Sequence, residues 1–483
     1  MNNRMVFYIL GRIVFSIGAV MLLPLTCAII YGESLLPFLI PLGLCLLLGF
    51  FLSFKKPQNT KLSARDGFVS VGIAWIVISL FGCLPYIISG AIPNFIDAFF
   101  EAVSGFSTTG ATVLADIEAQ DKSILLWRCF TQWLGGMGVL VFLLAILPKS
   151  DNTSSRYMHL MKAEVPGPTV DKLVARISDT ARVLYGIYIL LTAIEFVLLL
   201  FGEMNAFEAL SHAISTAGTG GFGVKNDSFA SYSAYSQYVV SVFMLLFGVN
   251  LSLFFLFVTG HILRVLKSEE LWVYIGIVGL STVAIAITIF SSTSGIEETF
   301  RTSLFQVAAI ISTTGFVSAD FEQWSGFAWL IFLLLMFCGG CAGSTAGGMK
   351  VSRLLLLFKN GKRQVKYIQH PRSVLSVKLD GKTVDHETIR GTTSYVIMLV
   401  AIFIVSALVV IAIEGCDLVT GISSVATCLN NVGPGLGEVG PTDNFLFLNP
   451  ITKLILCFDM LAGRLELFPM LILFSPSTWK KFA

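Results

Sequence analysis

The chain has 483 residues, 55% apolar and 13% charged, with a formal net charge of +2 at pH 7. Soluble domains average about 25% charged residues, and a mean hydropathy of +0.81 excludes an ordinary soluble enzyme. So small a net charge gives no reason to expect a nucleic-acid partner.

The apolar residues fall in long runs, each supplying the roughly 20 residues needed to cross a bilayer. Runs at 6–31 and 36–54 predict a helical hairpin in an N-terminal region, 1–65, that ends on Lys55, Lys56, Lys61 and Arg65. The first run is too long for a cleaved secretory signal and is soon followed by another. Four further units follow at 66–150, 151–265, 266–385 and 386–483. In the first, 67–92 spans, 96–107 forms a short amphipathic helix, and 125–147 returns. A basic stretch, 149–182, comes next, and its Pro166-Gly167-Pro168 forbids a continuous helix. The second unit has its three segments at 183–202, 206–218 and 237–262, and the third at 271–291, 300–312 and 326–349. The fourth has 391–414, 418–430 and 447–474. The prediction is an all-α polytopic membrane protein with ten crossing segments and four re-entrant ones. Most of the nine cysteines lie in apolar runs, as Cys27, Cys45, Cys83 and Cys457 do, and read as small buried hydrophobes. Cys338 and Cys341 have CxxC spacing but no thioredoxin-like context, so no covalent cofactor is expected.

The short helices carry an internal repeat. Residues 96–112 read IDAFFEAVSGFSTTGAT, and weaker copies end on Gly221, Gly315 and Gly433, at successive intervals of 111, 94 and 118 residues starting from Gly110. Each copy runs from an amphipathic helix into small or polar residues, always between two apolar segments. Four half-buried helices with such endings can bring four sets of carbonyls around one axis, where they replace the hydration shell of an ion. The predicted potassium-binding filter is Thr108, Thr109 and Gly110, then Thr219, Gly220 and Gly221, Thr313, Thr314 and Gly315, and Asn431, Val432 and Gly433. Glycine permits the backbone angles that turn carbonyls inward. A side chain at any of the four aligned glycines would narrow the pore or add a hydroxyl suited to a smaller ion. Irregular backbone at membrane depth survives only inside protein or beside a watery cavity.

Charge gives the orientation. Of 32 Lys and Arg residues, 26 lie on the side of the termini, and the re-entrant side is acidic, with Asp97, Glu101, Asp320, Glu322, Glu438 and Asp443 among others. The positive-inside rule then places both termini in the cytoplasm and the four re-entrant loops outside, where an acidic mouth concentrates cations.

These strings resemble the Trk/Ktr/HKT superfamily of potassium transporters, and its bacterial TrkH branch most closely. The matching pieces are DAFFEAVSGFSTTGAT (97–112), QWLGGMGVLV (132–141), GGF (220–222), STTGF (312–316), GGCAGSTAGGMK (339–350), LLLFK (355–359), NNVGPGLG (430–437) and GRLE (463–466). The resemblance covers nearly the whole chain, extra N-terminal hairpin included. It implies four M1–P–M2 repeats around one central pore, potassium uptake at the bacterial inner membrane, and a homodimer with one pore per subunit. It further implies control by a cytosolic RCK/KTN-type, TrkA-like nucleotide-binding protein. The second loop departs from TTG at Gly218-Thr219-Gly220-Gly221, and the fourth carries Asn431 and Val432.

Two further features read as gating. Within 338–348, five glycines, Gly339, Gly340, Gly343, Gly347 and Gly348, accompany Ser344 and Thr345. At about 1 kcal/mol each against alanine, they predict a broken helix. Its loop would lie across the pore below the filter, a reading the family resemblance supports. Arg464 is a lone guanidinium inside the last span and must face protein or water. It is expected to bond carbonyls of that loop and to oppose resting cation flow. Lys453, nearer the outer end, is expected to anchor an acid of a pore helix such as Glu101. A membrane enzyme is disfavoured: the histidines at 159, 212, 261, 370 and 386 are scattered, and neither HExxH nor GxSxG occurs. A symporter carrying potassium with sodium or protons stays open. A sodium conduit is disfavoured by the four glycines. The basic 350–390 segment reads either as a lipid-facing surface or as a dock for the cytosolic regulator.

Overall fold

In a computed structural model the chain is described over residues 2–55, 57, 63–138, 177–373 and 375–479. It is helical apart from a two-residue hairpin, Lys378–Leu379 against Lys382–Thr383. Six helices among the described residues are long and apolar enough to span a bilayer. They are the N-terminal pair, Asn3–Tyr31 and Leu36–Ser53, and one outer helix per repeat: Arg65–Ser89, Thr180–Leu200, Glu269–Ile289 and His386–Glu414. Each outer helix is followed by a pore helix: Phe95–Phe106, Ala206–Gly218, Ile296–Ile311 and Leu418–Asn430. The predicted four-repeat, all-α membrane architecture is therefore present, with helix bounds within a few residues of the expected ones except on the return side.

The return segments differ from expectation, because a break at the third alone was foreseen. The first is the helix Lys122–Gly136, and the rest of the predicted 125–147 span lies outside the described residues, as does most of 149–182. The second bends by 94° between Ala234–Phe247 and Leu251–Val258, where the Asn250 side chain caps the new helix through the Ser252 amide at 2.8 Å. The third stops at Cys338 and resumes as an amphipathic helix, Val351–Gln369. The fourth ends at Arg464, passes Glu466 and Leu467 at positive φ, and restarts at Phe468–Phe474 with proline in its first turn. Apolar composition runs through the second break, which only the Asn250 cap marks; glycines mark the third, and Arg464, Glu466 and Pro469 the fourth.

Small residues set the helix contacts, since apolar surface gives little drive for association in a lipid solvent. In the N-terminal hairpin a Cβ on Gly11 would lie 2.6 Å from Leu52 Cβ, and one on Gly49 the same distance from the Phe15 backbone. The hairpin reaches repeat one through Phe38, edge-on to Trp127, whose indole N–H donates to the Gly82 carbonyl at 3.0 Å. The largest buried core draws on the N-terminal hairpin and on outer, pore and return helices alike, and it packs against the loops after the pore helices.

Candidate functional site: a closed ring of four loops

Each pore helix ends in the same way. The amide of residue 108, 219, 313 or 431 bonds three residues back, and the next amide bonds five back: Thr109 to Ser104, Gly220 to Ser215, Thr314 to Ala309 and Val432 to Thr427, at 2.9–3.1 Å. This is a Schellman-type ending, which requires a left-handed residue after the helix. Here that residue is never glycine: Thr108, Thr219, Thr313 and Asn431 have φ between 53° and 59°. Two residues later Gly110, Gly221, Gly315 and Gly433 also have positive φ, from 74° to 107°. All four copies share one backbone path despite the departures at Gly220, Asn431 and Val432.

The four loops meet in cyclic order. A Cβ on Gly110 would lie 2.1 Å from the Gly220 oxygen, and one on Gly221 2.0 Å from that of Thr314. One on Gly315 would meet the Val432 oxygen at 1.9 Å, and one on Gly433 the Thr109 oxygen at 2.7 Å. First touches second, second third, third fourth, and fourth first again, so the four predicted ring glycines pack on four neighbouring carbonyls in a closed cycle with no room for a methyl group at any of the four. The pore helices aim their C-terminal, partially negative ends at this ring, a field that favours a cation. Three have side-chain caps at the far end: Asn94 on the Ile96 amide, Asn205 on that of Glu208 and Asp417 on that of Val419.

A family model for TrkH, a cation transport protein, matches residues 38–272 and 288–481. The chain belongs to the TrkH cation transport family. It is 36% identical to the Trk system potassium uptake protein TrkH of Escherichia coli over 490 residues, the whole of both chains. It is 33% identical to TrkG of the same organism, over 99% of each. The crystal structure of the potassium transporter TrkH from Vibrio parahaemolyticus superposes with a TM-score of 0.88 at 32% identity, covering 99% of this chain and all of that one. The chain is thus a multi-pass membrane protein.

In this TrkH-family chain the loop of the third return segment sits against the ring. Its Gly347 amide donates to the Thr313 hydroxyl at 2.6 Å, and a Cβ on Gly347 would lie 2.5 Å from the Asn430 carbonyl. Its other contacts reach three neighbours. Cys341 donates to the Gly248 carbonyl at 2.8 Å, Leu251 donates to that of Gly343, and the Ala342 and Ser352 amides both donate to Glu270 Oε1. Lys350, buried and at positive φ, donates to the Ala346 carbonyl. Arg464 is 6% exposed and donates from Nη1 to the Thr345 carbonyl at 2.7 Å and the Thr108 hydroxyl at 3.2 Å, and from Nη2 to the carbonyls of Gly135 and Gly136. One guanidinium therefore links the loop, the first filter strand and the first return helix. Glu466, two residues on, pairs with Arg353.

One predicted pair is corrected. Lys453 bonds Asp97 at 2.6 Å and the Leu446 carbonyl at 2.8 Å; it does not bond Glu101. Glu101 lies one helical turn deeper, fully buried, and takes Arg128 Nε at 2.8 Å together with the Thr112 hydroxyl and the Val113 amide. Arg128 also stacks 4.2 Å from the Phe222 ring, so both charges are internal and neither lines an outer mouth. The sequence reading missed Arg128 as a partner, although two opposite charges inside apolar segments were its signal. It also assigned no role to Gln132, although that residue opens the QWLGGMGVLV string, or to Asn250 and Glu270, which bond backbone and lie in no quoted motif.

Proposed function

We propose that this chain is a potassium uptake protein with a channel-like pore, whose filter is the ring of residues 108–110, 219–221, 313–315 and 431–433. The observation that carries the reading is the cyclic packing of four glycines on four neighbouring carbonyl oxygens. Carbonyl rings of this kind replace a dehydrated ion's water. The names of the E. coli relatives, potassium uptake proteins both, support the choice of ion. The 338–348 loop serves as gate, with Arg464 as its fixed positive charge, a role supported by its bonds to Thr345 and Thr108.

The chain lies in a bacterial inner membrane with both termini cytoplasmic, on the strength of the lysine and arginine asymmetry. There inward flow gains about 2.3 kcal/mol per charge per 100 mV. Exposed Phe358, Val365 and Ile368 beside Lys362 and Lys366, on the Val351–Gln369 helix, supply surface for a second copy and for a cytosolic nucleotide-binding regulator. The test is the reversal potential of purified protein in liposomes under opposed potassium and sodium gradients, alongside Gly110→Ser. A reversal near the potassium value that moves toward sodium in the variant is expected. Equal permeability to both ions, or no effect of the substitution, overturns the filter.

A further inference from the structure

The second filter strand lacks a side chain that its counterparts have. At the position before the ring glycine, repeats one and three carry Thr109 and Thr314, whose hydroxyls bond Ser107 and Ser312 at 2.7 and 2.8 Å. Repeat four carries Val432, fully buried. Repeat two carries Gly220, yet Gly220 is not among the positive-φ glycines, so its backbone does not call for glycine. What calls for it is Gln132, from the return helix of repeat one. A Cβ on Gly220 would lie 2.2 Å from Gln132 Cδ and 2.5 Å from its Cγ. The amide of Gln132, itself fully buried, fills the space that a threonine or valine fills elsewhere.

Its bonds fix its orientation. Gln132 Oε1 accepts from the Phe222 amide at 3.1 Å and from the Ser215 hydroxyl at 2.7 Å. A backbone N–H can only donate, so the oxygen must face Phe222 and the NH₂ must face Gly220. Nε2 then donates to the Gly220 carbonyl at 2.6 Å. That oxygen is the one packed against Gly110 in the ring. A carbonyl oxygen has two lone pairs, so it can accept from Gln132 and still face an ion.

We infer that Gln132 is a positioning residue of the filter, lent by the first repeat to the second. It stands in for the missing side chain at Gly220 and holds that carbonyl at the spacing that selects the larger cation. The inference rests on the filter reading above and adds to it a determinant outside the four loops. It also accounts for the odd second strand: Gly220 and Gln132 are one solution in two parts, and each makes sense only with the other.

The experiment is a double-mutant cycle on the full chain in liposomes, reading the potassium-to-sodium permeability ratio, with thermal unfolding measured in parallel. Gln132→Ala should lower the ratio by about two- to tenfold, the scale of one net hydrogen bond. Gly220→Thr alone should lower it further or stop conduction, since its Cβ strikes Gln132. The double variant Q132A/G220T rebuilds the Thr-Thr-Gly pattern and should restore the ratio above that of both single variants. Gln132→Met, of similar length but without a donor, keeps the packing and should lose selectivity while unfolding near the wild-type temperature; it carries the test if Gln132→Ala does not fold. Selectivity unchanged in Gln132→Met, or a double variant no better than the poorer single one, overturns the inference while the filter stands. A wild-type chain with no potassium preference overturns both, because Gln132 then has no selectivity to set.

Discussion

At the scale of single residues, backbone contact decides which positions tolerate change. Gly221 has φ of 80°, and a Cβ there would lie 2.0 Å from the Thr314 oxygen. Gly223, two residues on, would place its Cβ no closer than 3.6 Å to any neighbour, an ordinary contact. Gly221→Ala should therefore cut potassium uptake by more than about tenfold, left-handed strain of about 1–2 kcal/mol adding to the clash, while Gly223→Ala stays near wild type. Uptake by a potassium-starved, transport-deficient host checks both. The Glu101–Arg128 pair makes a different demand. Both side chains are fully buried, and removing one leaves the other charged with nothing to neutralise it. Glu101→Ala should lower stability by about 3–5 kcal/mol, read as a fall in unfolding temperature. Lys453→Met should cost less, because Asp97 is partly exposed and solvent screens what remains.

At the scale of elements, the outer and pore helices were legible and the return segments were not. A pore helix announces itself by amphipathic spacing, a cap such as Asn94 or Asp417, and a Thr- or Gly-rich exit. The break at 248–250 sits inside an apolar run, so composition hides it; at 465–467 the charges of Arg464 and Glu466, with Pro469 just after, were cues to a break that the reading did not use. The five glycines of 339–348 exceeded what a helix tolerates, and that break was plain. Partners across the ring, such as Gln132 with Gly220 or Asn431 with the Thr109 hydroxyl at 3.0 Å, depend on tertiary placement that no local pattern encodes. Lys453 was matched to the wrong acid for the same reason: Asp97 and Glu101 share a helix face, and only depth separates them. The loop's attachments give a graded prediction. Arg464→Ala removes charge-assisted bonds of about 1.5–3 kcal/mol between the loop and the ring and, if the loop is the gate proposed above, should raise resting leak about tenfold or more. Thr313→Val removes the single acceptor of the Gly347 amide and should raise it less. Liposome flux without any regulator ranks the two; equal or unchanged leak would separate the loop from gating.

At the scale of the molecule, four unequal repeats are held to one ring, and the acids expected at an outer mouth act collectively. A cavity of about 720 Å³ is lined by Glu322, Asp417, Glu438 and Asp443. Partial burial raises the Glu322 carboxyl above its ordinary value of 4.5, and Asp443 and Asp320 push in the same direction. Asp417, by contrast, is held below its ordinary value by the bonds it makes as cap to the fourth pore helix, Thr420 first among them. As pH falls, Glu322 therefore takes up its proton before Asp417, and the mouth loses negative charge above pH 4.5 while the helix cap is still ionised. An acidic funnel raises local cation concentration, an effect that fades within about 10 Å at 0.1 M salt. Uptake at limiting potassium should accordingly decline as external pH falls toward the ordinary carboxylate value of 4.5, more at low ionic strength than at high. Glu322→Gln should start from a lower rate and show a flatter decline, with the rate at saturating potassium unchanged. A wild-type profile that is flat over this range, or one that Glu322→Gln leaves as steep, would mean that cations reach the ring without help from the acids at its mouth.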